Sequence, residues 1–136
     1  MPVTIRAFGR DFDVDRFCSS TYLHICQAFR RGEKARARQT VSEKSGVNIS
    51  VSDADFDDLA GQIADTVLFL GTHTDAIRAL RDFPGVEGVE VDFGIRRRDV
   101  YVQSDTFPAE LVEIAGTLRI AVTLTQYPIG DMGDDA

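Results

Sequence analysis

The residues best able to do chemistry in this chain fall into three acidic, nucleophilic and basic groups. Asp53, Asp55, Asp57 and Asp58 form a dense carboxylate cluster, and Asp11, Asp13 and Asp15 form a second. An EF-hand loop begun at Asp53 needs glycine at its sixth position and glutamate at its twelfth. The chain has Asp58 and Ala64 there, so the calcium pattern fails. Both clusters precede apolar helical stripes, where carboxylates cap free N–H groups and suit the helix dipole. No metal centre and no cofactor is expected.

His24, His73, Cys18 and Cys26 are the candidate nucleophiles and bases. Neither histidine has a Cys or carboxylate at metal-ligand spacing. A thiol–imidazole pair of Cys18 or Cys26 with His24 is the one enzymatic arrangement the letters permit. It lacks an evident third group to orient the base. Phosphate-loop, dinucleotide and nucleophile-elbow patterns are absent.

The basic group is the most unusual. Five of the fifteen lysines and arginines lie in the nine positions Arg30 to Arg38, a segment expected as an exposed loop or strand extension. Arg30, Arg31 and Lys34 are its candidate contacts for an anion or acidic partner, since guanidinium forks match carboxylates and phosphates. Arg96, Arg97 and Arg98 join the site if the two loops meet in space.

These residues need elements to hold them. Phe56, Leu59, Ala60, Ile63, Val67 and Leu70 recur as one helical stripe over the segment Val51 to Phe83, the organising stretch of the chain. Ser52 to Asp55 is its expected cap and Gly71 its expected stop. Leu68 and Phe69 lie off the stripe, and a second helix carrying Ile77, Leu80 and Phe83 is expected to fold back and cover them. Period-two alternation marks strands at Val3 to Phe8, Val47 to Val51, Val89 to Ile95 and Leu118 to Leu124, with Tyr22 to Phe29 as a further strand. Val100 to Ser104 reads as the hairpin partner of the strand before Arg96. Short helices are expected after Asp13 and around Pro108 to Ala115.

The order is therefore β-α-β-β-α-α-β-β-α-β. One-sided alternation predicts an α+β fold, a largely antiparallel sheet with helices packed on one face. Residues 1–128 form a single domain, and 129–136 an acidic flexible tail. The wet face of the sheet would carry Asn48, Ser50, Glu90, Asp92, Thr123 and Thr125.

Composition is that of a globular chain, 43% hydrophobic and 27% charged. The formal charge of −7 weighs against nucleic acid as a partner. No run reaches the roughly 20 apolar residues of a membrane span, and the N-terminus lacks a signal-peptide pattern, so a cytoplasmic setting is expected.

Several short features resemble a bacterial family, the domain-of-unknown-function group 4279. They are the opening strand and short helix, Arg31-Gly32-Glu33 in a basic loop, and Ser45-Gly46 ahead of a strand. A long helix with a following helical segment, a helix from Pro108 to Gly116 and a strand from Leu118 to Tyr127 complete the order. The family often carries tryptophan near the Ser-Gly segment, where this chain has Val47 and Asn48. The resemblance implies an α+β fold and no established activity, catalytic residue or cofactor.

The functional expectation is a small non-catalytic binding or protein-interaction module. Its partner would be an unknown protein or a second copy. The alternatives are a small-molecule or anion sensor built on the basic loop 30–38, and an acidic antitoxin-like or immunity-like protein.

Overall fold

Val3, Ile5 and Ala7 alternate with Thr4, Arg6 and Phe8, and the first three are wholly buried. They lie on β1 (Val3–Gly9), which is flanked on both sides by strands and so forms the middle of the sheet. The computed structural model describes residues 2–34 and 41–128. After β1 come α1 (Val14–Ser20), β2 (Ile25–Phe29), β3 (Ser45–Ser52), α2 (Leu59–Thr72) and α3 (Thr74–Arg81). The chain ends with β4 (Gly88–Arg96), α4 (Ala109–Thr117) and β5 (Ala121–Tyr127).

The fold is α+β, with one five-stranded sheet in the order β2-β3-β1-β4-β5. Val47 and Ile49 of β3 and Val89, Val91 and Phe93 of β4 join the β1 residues in one core. Phe17, Leu70, Ile77, Leu80, Leu111 and Ala115 bring all four helices to that core. A fully buried side chain of this size contributes roughly 1.5–3 kcal/mol. The opposite side of the sheet is left open, as one-sided alternation predicts.

Two expectations change. The sheet is mixed: β1 pairs antiparallel with β3 and β4, and β2 with β3, but β4 and β5 run parallel. Parallel neighbours need a crossover rather than a tight turn, and α4 provides it. For that reason Val100 to Ser104 does not return as a hairpin strand. It belongs to the irregular connection that carries the chain from β4 toward α4. The helix order is therefore preserved while one expected strand disappears.

The organising helix also shifts. Its N-cap is Asp58, whose carboxylate accepts from the Gly61 N–H at 2.8 Å. Ser52 is still in β3, and Gly71 lies inside the last turn. Ala60 faces solvent, and the wholly buried line is Gln62, Thr66 and Leu70. The following helix leaves Leu68 uncovered, 70% exposed. Phe69 is half-buried, with the His73 ring 4.5 Å away, and Tyr22 Oη meets His73 Nδ1 at 2.7 Å. Residues 35–40 and the tail 129–136 lie outside the described residues.

Candidate functional site

Strand alternation sends one polar side chain from every strand onto the open face, and they join into a single row. Asn48 Nδ2 on β3 donates to Gln27 Oε1 on β2 at 3.0 Å. Arg6 Nε on β1 donates to Asn48 Oδ1 at 3.2 Å, and its Nη1 lies 3.8 Å from Glu90 Oε1 on β4. Thr123 Oγ1 on β5 donates to Glu90 Oε2 at 3.0 Å. The register explains the row, because Arg6 lies opposite both Asn48 and Glu90. One position along, Thr125 Oγ1 donates to Asp92 Oδ1 at 2.7 Å. Cross-strand pairs of this kind, here partly buried, add only about 0.2–1 kcal/mol each. Their main effect is to fix the side chains in place.

Beside the row the floor turns aromatic. Phe8 lies opposite Gly46 and Gly88, and Phe29 also lies opposite Gly46. A Cβ on Gly88 would meet the Phe8 ring at 2.7 Å, and one on Gly46 would run into Phe29. The two rings therefore occupy space that side chains on those glycines would need. Lys44 Nζ stands 5.1 Å from the Phe8 ring centroid, within cation–π range. Arg6 and Glu90, the two rings and the segment Val41 to Lys44 enclose an open groove of about 620 Å³.

The arginines singled out by sequence do not make one site. The chain makes a local turn at Arg30 to Glu33, where the Glu33 N–H donates to the Arg30 carbonyl. The ribbon continues to a bridge between Lys34 and Val41, so this part of the basic block is a strand extension. It follows the C-terminal end of β2, whereas Arg96 to Arg98 follow the C-terminal end of β4. Strand directions place them at opposite ends of the strands, about 25 Å apart at the usual rise per residue.

Most of these cations are also engaged by the chain's own carboxylates. Arg30 Nη2 meets Asp15 Oδ1 at 2.6 Å, and Arg31 Nη1 meets Asp11 Oδ1 at 3.6 Å. The Arg30 hydrogen bond and charge hold the Asp15 carboxyl below its ordinary range, and Asp15 raises Arg30 in return. Arg96 pairs with Asp57 at 3.6 Å and Arg98 with Asp105 at 3.1 Å. Arg97 is exposed, and its backbone N–H donates to the Tyr127 carbonyl.

The same contacts account for much of the acidic clusters. Asp13 caps α1, accepting from the Arg16 N–H at 3.1 Å. Asp58 caps α2. Among the described residues no group of three or more His, Cys, Asp or Glu side chains is placed to hold a metal ion. Cys26 Sγ donates to the Asn48 carbonyl at 3.2 Å, and His24 is exposed. Burial, then the Asp15 carboxylate, push the Cys18 thiol up, away from a reactive thiolate.

Of the expected wet-face residues, Asn48, Glu90, Asp92, Thr123 and Thr125 take part in these bonds, whereas Ser50 lies opposite Thr4 and joins none of them. Arg6, Phe8, Gln27 and Phe29 complete the face and were not candidates. Alternation against Val3, Ile5 and Ala7 already separates Arg6 and Phe8 from the core; the role of Gln27 depends on pairing register.

A test concerns the loop after Arg96. Asp105, with a side chain only 7% exposed, accepts from Gln103 Nε2 at 3.0 Å and from Arg98 Nη1 at 3.1 Å. The Gln103 bond, and then Arg98, hold its carboxyl below the ordinary range against the opposing effect of burial. A depressed folded pKa stabilises above the unfolded pKa, and that stabilisation is lost as pH falls through the folded value. Hydrogen-exchange protection over residues 98–105 is expected to fall on acidification below about pH 4. Asp105→Ala should show the same loss at neutral pH.

Comparison of the chain with protein-family models, with curated proteins and with solved structures returns no match.

Proposed function

We propose that the chain is a non-catalytic binding module whose open sheet face receives a partner protein segment. The observation that carries this reading is the row from Gln27 through Asn48, Arg6 and Glu90 to Thr123 beside the Phe8–Phe29 groove. Apolar rings supply area, while side chains already held by their neighbours supply fixed polar contacts at low ordering cost. A bacterial cytoplasmic setting, in which both thiols stay reduced, suits the reading. So does the resemblance to a family without known catalysis.

The partner's expected sign follows from which charges the face has spent. Arg6 is matched by Glu90 and Lys44 by Glu87, while Glu43 and Asp92 have no ion pair among the described residues. With a chain charge of −7, this favours a basic segment, the arrangement of an antitoxin-like or immunity-like protein facing a cationic partner. The basic-loop sensor is the weaker alternative, because Arg30 and Arg31 already hold Asp15 and Asp11.

A panel of short basic peptides containing aromatic residues tests the reading by fluorescence polarisation. Binding is expected to weaken at least about tenfold in Asp92→Lys/Glu43→Lys and to be unchanged in Arg30→Ala/Arg31→Ala. Absence of binding across the panel, or the reverse sensitivity, would count against the open face.

A further inference from the structure

The sheet has two edges, and they are built differently. β2 is five residues long, its pairing with β3 shifts register between Ile25 and Gln27, and Arg30, Arg31 and Lys34 follow it. Shortness, irregularity and charge are the usual devices that stop an edge from pairing with another chain. β5 is longer and regular: Ala121 to Tyr127 contains no charge, no proline and no glycine, Pro128 follows it, and its register with β4 runs without a shift from Ala121 to Tyr127. Among the described residues its other side pairs with nothing.

Exposed apolar residues concentrate on the same part of the chain. Among the described residues nine large hydrophobic side chains are exposed, and six of them lie between β4 and the end of β5: Val100, Tyr101, Val102, Val112, Val122 and Tyr127. The connection that carries the first three is braced by its own Arg98–Asp105 pair. Apolar exposure on a braced segment is a feature of contact surfaces.

We propose that β5 pairs antiparallel with β5 of a second copy of this chain, joining two sheets into one of ten strands. The strand's own symmetry selects this occupant. Two chains of formal charge −7 repel over most of their surfaces, but β5 carries no charge to oppose the pairing. The strand is self-complementary about a two-fold axis, as a closed dimer requires. With Leu124 on the axis, Thr123 faces the partner's Thr125, Val122 faces the partner's Gln126, and Ala121 faces the partner's Tyr127. Thr–Thr neighbours are favourable cross-strand pairs. The inference stands on the edge and does not depend on what the open face binds.

Sedimentation equilibrium of the full chain should give twice the 15.0 kDa monomer mass. Val122→Lys/Gln126→Lys changes two exposed side chains that meet across the axis, and is expected to weaken the dimer at least about 100-fold with unchanged circular dichroism. Val122→Glu/Gln126→Glu should behave alike, and mixing the two variants in equal amounts should restore the dimer. In the wild-type protein, hydrogen-exchange protection of residues 121–127 should rise with concentration. A monomeric wild type overturns the proposal, and leaves the edge to a foreign strand if to anything. So does a dimer that survives the lysine variant, larger assemblies in place of a dimer, or a mixture that stays monomeric.

Discussion

Replacing Gln62 by leucine is expected to cost about 2 kcal/mol of folding stability, although the substitution keeps the volume and removes a polar group from the core. Gln62 is wholly buried on the inward line of α2. Its Nε2 donates to the Asp55 carbonyl at 2.9 Å and to the Gly94 carbonyl at 2.9 Å. One amide therefore ties the segment ahead of the helix to the far end of β4. Leucine leaves little cavity, so the loss reports the hydrogen bonds. The Asp55 carbonyl keeps a bond from the Asp58 N–H at 3.0 Å, which makes Gly94 the acceptor most affected.

The side-chain oxygen of Gln62 has no partner among the described residues, so its removal partly offsets the cost. Gln62→Glu separates these effects. A protonated glutamate can donate to one of the two carbonyls, and an ionised one to neither. Burial against carbonyl oxygens raises the folded pKa above the unfolded value. Whatever stability this variant keeps is then fully present below the unfolded pKa and lost as pH rises through the folded one. Urea unfolding should show Gln62→Glu losing stability relative to wild type between about pH 4 and about pH 7, with no such trend for Gln62→Leu. A leucine variant within about 0.5 kcal/mol of wild type would show that the helix is held by its apolar contacts alone.

Gln62 also marks a limit of reading the helix from its letters. The stripe of Leu59, Ile63, Val67 and Leu70 was visible because those residues are apolar. The buried line of Gln62, Thr66 and Leu70 includes two polar residues, and periodicity passes over them. Their burial depends on backbone carbonyls: distant Gly94 for the amide, and Gln62's own, one turn back, for Thr66 Oγ1 at 2.7 Å. The α+β class and the one-sided sheet were legible for the opposite reason, since each strand displays its two faces locally. The direction of β5 was not, because alternation is the same in parallel and antiparallel pairs. The wet face followed from alternation, but its joining through Arg6 required the order β3-β1-β4. The arginine groups look alike in sequence, and only strand direction separates Arg30 from Arg96.

Gly85→Ala is expected to destabilise the fold by about 3 kcal/mol, and Gly32→Ala by only about 1 kcal/mol. Both glycines have positive φ, 89° and 91°, where a Cβ is strained by the backbone itself. Around Gly32 nothing among the described residues lies within 4 Å of the added atom. Around Gly85 it would stand 2.5 Å from the Asp11 carbonyl carbon and 2.8 Å from the Phe12 nitrogen. Those atoms belong to the turn after β1, which meets the turn before β4 backbone to backbone. The Glu87 N–H donates to the Phe8 carbonyl at 2.8 Å there, and the Glu87 carboxylate accepts from the Arg10 N–H. The turn cannot move away freely, because the Phe12 ring packs against Phe83 at 5.6 Å and Phe17 at 5.8 Å. The intrinsic φ penalty is shared by the two variants, so their difference in thermal or urea unfolding measures the contact. Equal losses would mean that the Asp11–Phe12 turn yields and that the aromatic cluster does not hold it.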